Sequence, residues 1–206
     1  MSAPTRVVST VGPVLIIGSG LLGASLGLAL RAGGVRVYLE DASPTSLRLA
    51  SDVGAGVAFG DAIDEAGVAY ADAGTDAPGY EAPRIVVVAT PPDVADRVIV
   101  DSLLRFPGAI VTDVASVKDA VVADVLATLE ERGLEDAACR YVGSHPMAGR
   151  ERSGAGAADA DLFYGRPWVI VAHETTWPRA LLAARALATD VGAVPLEMNA
   201  GTHDHA

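Results

Sequence analysis

Residues 13–34, PVLIIGSGLLGASLGLALRAGG, run from a short aliphatic stretch into closely spaced glycines and then into a helical pattern. A continuous apolar run of strand length, with no polar alternation, belongs to a strand buried on both faces. A helix that starts within a few residues of such a strand packs back onto its own sheet. The stretch also lies in an uncharged run from Val7 to Leu30, after Arg6, that imitates a signal peptide or a membrane span. Gly12, Pro13, Gly18, Gly20, Gly23 and Gly27 interrupt that run, and no second apolar run of spanning length follows. A buried strand turning into a helix explains it better, and no membrane role is expected.

The same alternation continues along the chain. PVLIIG, VRVYLE, RIVVVAT, AIVTDV, RYVGS, PWVIVA and AVPLEM read as strands. LLGASLGLALRAGG, SPTSLRLASDVG, PPDVADRVIVDSLLRF, SVKDAVVADVLATLEERG and WPRALLAARALATDVG read as helices between them. Ser43 or Pro44 begins one helix, Pro92 and Asp93 begin another, and Gly33 with Gly34 ends the first. Residues 54–83, rich in Gly, Ala and Asp, read as a surface loop with no chemistry of its own. The expected fold is α/β: a Rossmann-type, doubly wound, mostly parallel sheet. At 206 residues, half of them hydrophobic, the chain can bury the core such a sheet needs.

Charge narrows the partners. With 15 basic against 26 acidic residues the net charge is −11, and Lys118 is the single lysine. Such a field repels nucleic-acid backbones and anionic lipid surfaces. A small anionic substrate remains compatible, because local arginines override the global sign over a few ångströms. Cys139 is the one cysteine, so no intrachain disulfide forms and a reducing, cytoplasmic setting is the simpler expectation. Cys139 itself reads as a packed small hydrophobe, and no metal site is expected.

Gly18, Gly20 and Gly23 fit the spacing G-x-G-x-x-G between a strand and a helix, the context a dinucleotide-binding turn requires. Gly18 permits the tight turn, Gly20 admits a pyrophosphate to the backbone, and Gly23 lets helix and strand pack closely. Ser19, Leu21 and Leu22 complete the expected cofactor-binding loop. Asp41 closes the second strand at the distance where a carboxylate meets the adenosine ribose hydroxyls, while Glu40 faces the other way. No arginine immediately follows Asp41, which favours NAD over NADP. Thr90 and Pro91, in the turn after the strand RIVVVAT, are further cofactor candidates or simply a helix start.

Two more strand ends carry chemistry. TDVASVKDAV puts Ser116 and Lys118 at a strand-to-helix junction, where Ser116 is an N-cap or a functional hydroxyl and Asp113 a turn residue. GSHPMAG ends the next strand, so His145 opens toward the same crevice. A histidine suits deprotonation of an alcohol near neutral pH, and Pro146 with the small residues after it leaves the imidazole uncovered.

VLIIGSGLLGASLGLAL, VATPP, VTDVASVK, GSHPMAGRERSG followed by DLFYGRPWVI, and the late pair His203 and Asp204 together resemble the nucleotide-binding domain of prephenate dehydrogenases, the TyrA group. The resemblance covers nearly the whole chain in order. It implies NAD-dependent oxidative decarboxylation of prephenate to 4-hydroxyphenylpyruvate on the route to tyrosine. In that chemistry His145 takes the proton of the ring hydroxyl, and Ser116 orients hydroxyl, imidazole and nicotinamide carboxamide. Arg150 and Glu151 fall where the family has substrate-facing residues, or form an exposed loop pair. The family continues into a mostly helical domain that forms a homodimer. Residues 1–197 are then the dinucleotide-binding domain and 198–206 the first residues of a truncated helical C-terminal domain, with His203 and His205 a frayed end. Arogenate and 4-amino-4-deoxyprephenate are alternative substrates. A β-hydroxyacid dehydrogenase fits less well, because its lysine belongs on a later helix than Lys118. A nonenzymatic NAD-sensing module is the reading from another class.

Overall fold

The computed structural model describes residues 8–59, 62–63, 69–70, 81–149, 154–200 and 204. Among these residues ten strands appear in chain order: β1 (Val14–Ile17), β2 (Val37–Glu40), β3 (Val57–Ala58), β4 (Ala62–Ile63), β5 (Ala69–Tyr70), β6 (Ile85–Val88), β7 (Ile110–Asp113), β8 (Tyr141–Pro146), β9 (Pro167–Val171) and β10 (Val194–Glu197). The helices are α1 (Leu21–Ala32), α2 (Pro44–Asp52), α3 (Pro92–Arg105), α4 (Asp119–Glu131), α5 (Glu135–Ala138) and α6 (Pro178–Asp190). Eight strands form one sheet in the order β3-β2-β1-β6-β7-β8-β9-β10. From β3 to β8 every pairing is parallel. β9 is antiparallel to β8, and β10 is parallel to β9. The doubly wound, mostly parallel sheet is the one the sequence pattern predicts.

The apolar strands have two cores to fill. Val14 and Ile16 join Leu26 and Leu30 of α1 and Leu187 of α6 on one face. Leu15 points the other way, to Ile99 and Leu103 of α3 and Val125 and Leu129 of α4. With period-two side chains and helices on both faces, Val14, Leu15 and Ile16 of β1 are all buried, so no polar alternation survives. The uncharged run thus divides into strand, turn and a 12-residue helix. No helix among the described residues is long and apolar enough to cross a membrane. Cys139 is buried, and its thiol donates to the Asp136 carbonyl at 2.8 Å.

Helix starts follow local chemistry. The Ser43 hydroxyl accepts from Ser46 N at 3.3 Å with Pro44 at the first helical position of α2, and Pro92 opens α3 in the same way.

Three boundaries differ from the sequence reading. The segment 54–83 is not all loop: Val57 and Ala58 pair with Tyr38 and Leu39 at the open edge of β2, and β4 pairs with β5. Two-residue strands carry no periodic signal. β8 continues past Ser144 to Pro146, because β9 pairs His145 with Val169 and Pro146 with Trp168. α4 begins at Asp119, so Ser116 is an exposed loop residue rather than the helix N-cap.

Candidate active site

β1 and β6 are neighbours whose onward connections run to opposite sides of the sheet, which leaves a crevice beyond their carboxyl ends. A cavity of about 970 Å³ fills it, lined by Gly18, Gly20, Leu21 and Leu22 from the glycine turn, Asp41 from the end of β2, and Thr90 and Pro91 from the β6–α3 turn. Val94 and Val98 of α3 supply an apolar wall.

Each glycine of the turn has its own constraint. Gly18 stands at φ +102°, and a Cβ there would strike the Ala89 carbonyl. A Cβ on Gly23 would strike the Gly18 carbonyl. A Cβ on Gly20 would meet nothing within 4 Å, so its absence leaves open space over the start of α1. That start has no side-chain cap and no acidic residue in its first turn. Its amides and dipole therefore suit an anionic group.

Ser19 lies behind the wall, not on it. It is fully buried, and its N–H and hydroxyl donate to Asp41 Oδ2 at 2.6 and 2.7 Å, while Ser43 N donates to Oδ1 at 2.7 Å. Partial desolvation pushes the Asp41 carboxyl upward, but the three hydrogen bonds outweigh it and hold its pKa below the ordinary value. Asp41 is thus an oriented carboxylate at the crevice mouth. The Thr90 hydroxyl oxygen is buried with no hydrogen-bond partner among the described residues. A dinucleotide fits this set: an open approach at Gly20, a helix start for phosphate, a fixed carboxylate for ribose hydroxyls, and a hydroxyl without a mate.

Two strands along the same edge, Ser116, Val117, His145, Met147 and Asp204 line a smaller depression of about 380 Å³. The structure brings Ser116 and His145 together there, from the loop after β7 and from the end of β8. Beneath them lies a buried polar network. Lys118 and Asp113, both fully buried, form an ion pair. Tyr141 donates its hydroxyl to Asp113 Oδ2 at 2.8 Å, and Ala115 N donates to Oδ1 at 2.9 Å. The Ser144 hydroxyl donates to the Asp113 carbonyl at 2.6 Å. Burial and the adjacent carboxylate push the Tyr141 phenol well above its ordinary pKa, so it stays a donor. A buried ion pair adds little net stability. Its effect here is geometric, because it ties the Ser116 loop and β8 to one anchor.

Asp204 completes the loop's restraint: its carboxylate accepts from Lys118 N at 3.0 Å and from Asp119 N at 2.9 Å. The roles of Tyr141, Ser144 and the Lys118 ammonium were not read from the sequence. The available signal was a single lysine five positions after an aspartate in an otherwise apolar frame. Arg150, Glu151, His203 and His205 lie outside the described residues.

A parallel sheet reversing at a glycine turn, with a carboxylate closing β2, defines a dinucleotide-binding domain of the Rossmann type. The family model described as prephenate dehydrogenase, nucleotide-binding domain, matches residues 26–197, and the chain belongs to that family. The match begins inside α1, so the glycine turn stands on geometry. The chain is 38% identical over 192 residues to the "Probable prephenate dehydrogenase NovF" of Streptomyces niveus, covering 93% of this chain and 46% of that protein. It spans about half the length of the curated relatives it matches. A crystal structure of prephenate dehydrogenase from A. aeolicus, in complex with hydroxyphenyl propionate and NAD+, matches with a TM-score of 0.75 at 27% identity, over 95% of this chain and 63% of that one. An arogenate dehydrogenase from Synechocystis shares the fold, with a TM-score of 0.71 at 24% identity over 93% of this chain and 61% of that one.

Proposed function

We propose that this chain is the NAD-binding and proton-accepting part of a dehydrogenase that oxidatively decarboxylates prephenate to 4-hydroxyphenylpyruvate, on the route to tyrosine. The observation that carries the reading is the convergence of Ser116 and His145 on one depression, beside the crevice at the β1/β6 reversal. Family membership and the ligands of the A. aeolicus structure support it.

Gly20 and the start of α1 receive the pyrophosphate, Asp41 accepts from the adenosine ribose hydroxyls, and Thr90 offers its hydroxyl to the cofactor. Bound NAD supplies the hydride acceptor. His145 accepts the proton of the substrate's ring hydroxyl as that carbon is oxidised, and Ser116 holds hydroxyl and imidazole in register. Loss of carbon dioxide then makes the ring aromatic. Arg150, on the resemblance, pairs with a substrate carboxylate and Glu151 orders another cation. Residues 1–197 form the nucleotide-binding unit, and 198–206 open a helical one that dimerises, in keeping with helical backbone at Ala200 and Asp204.

The test is NADH formation with prephenate, arogenate and 4-amino-4-deoxyprephenate, using a protein of the relatives' length that contains this chain. Turnover fastest on prephenate is the expected result. Turnover confined to arogenate or the amino analogue overturns the substrate, and NAD binding without turnover on any of the three favours a nonenzymatic sensor.

A further inference from the structure

Glu40, which the sequence pattern turns away from the cofactor, lines the crevice with Asp41 after all, because Arg105 of α3 reaches across to it. One guanidinium nitrogen, Arg105 Nη1, donates to Glu40 Oε1 at 2.9 Å and to Oε2 at 2.8 Å. The guanidinium carbon lies 5.0 Å from the centroid of the Phe59 ring and 4.9 Å from that of Phe106. Those rings meet edge-on at 5.7 Å, so the cation rests on an aromatic platform. Among the described residues lining the crevice, Arg105 is the single cation, against the carboxylates of Glu40, Asp41 and Asp101.

Both partners are partly exposed, 47% for the Arg105 side chain and 35% for Glu40. Such a pair adds little to stability. It does fix where the donors of the one cation point. An NADP molecule differs from NAD by a phosphate monoester on the adenosine ribose, a group that needs an arginine fork and is repelled by carboxylates.

We propose that Glu40 is a coenzyme-selectivity residue: by holding Arg105 on its aromatic platform it withholds the crevice's cation from a 2′-phosphate, and the site takes NAD. The inference rests on the nucleotide-binding reading above. Its further content is that selectivity needs two carboxylates with separate tasks. Asp41 meets the ribose hydroxyls, and Glu40 engages the cation that would reward a phosphate.

Titration calorimetry of NAD and of NADP against this chain, its Glu40→Gln variant and the double variant Glu40→Gln/Arg105→Met tests it. NAD binding by each variant reports that the crevice is folded. Glu40→Gln should tighten NADP roughly tenfold, as a released charged donor to phosphate would, and leave NAD within about twofold. The double variant should lose that gain. No tightening in Glu40→Gln overturns the proposal, and so does a gain that survives in the double variant, which would be charge relief alone. Failure of the unsubstituted chain to bind NAD overturns the nucleotide reading and the inference with it. NAD binding without an Arg105-dependent NADP gain overturns the inference only.

Discussion

His173 follows β9, with its ring stacked against Tyr141 at 6.1 Å between centroids and its Nδ1 3.2 Å from the Thr175 hydroxyl. Desolvation pushes its pKa below the ordinary 6.5, and the backbone of Tyr141 and Ala138, which favours the protonated ring, offsets this only in part. The folded protein therefore binds fewer protons than the unfolded chain between the lowered value and 6.5. The stability this contributes is present above pH 6.5 and lost as pH falls through the folded value. The urea midpoint should drop as pH is lowered below 6.5, and His173→Phe, which keeps a ring on Tyr141, should flatten that dependence. An unchanged slope in the variant would assign the effect to other groups. Among residues near the site, Asp41 was legible by its distance from the glycines. Ser19 was not, because spacing does not reveal that its hydroxyl turns inward to Asp41.

The β1–turn–α1 unit separates two uses of glycine that one motif conflates. Gly23 is needed by the fold, since a Cβ there collides with the Gly18 carbonyl, whereas the space at Gly20 is open. Gly23→Ala should destabilise the chain by roughly 3 kcal/mol in chemical denaturation. Gly20→Ala should stay within about 1 kcal/mol of the parent and yet bind NAD more weakly. Equal effects of the two on folding would contradict this division. β1, β6 and β9 were readable because burial on both faces makes them nearly continuously apolar. The direction of β9 was not. No tight hairpin joins it to β8: 20 residues lie between Pro146 and Pro167, so neither turn chemistry nor length marks the antiparallel pairing. The start of α4 was misplaced for a different reason. The Lys118 side chain is drawn down to Asp113, and the loop that presents Ser116 stays out of the helix.

Over the whole molecule, the reversal between β1 and β6 sets the crevice, and the parallel run β6-β7-β8 delivers Thr90, Ser116 and His145 side by side along one edge. Neighbouring strands lie about 4.8 Å apart, so the strand that carries His145 is roughly 10 Å from the one before Thr90. That separation suits a cofactor spanning from one depression to the other. The net charge of −11 makes the docking of an anionic substrate depend on local cations and not on the field of the protein. The direct test of the central claim is pre-steady-state NADH formation from prephenate by a protein of the relatives' length, with and without His145→Asn, alongside NAD binding to both. The account predicts that the substitution lowers the hydride-transfer rate by roughly 10²-fold or more and leaves NAD affinity unchanged. A variant that forms NADH at the parent's rate would contradict it, because His145 would then not be the proton acceptor.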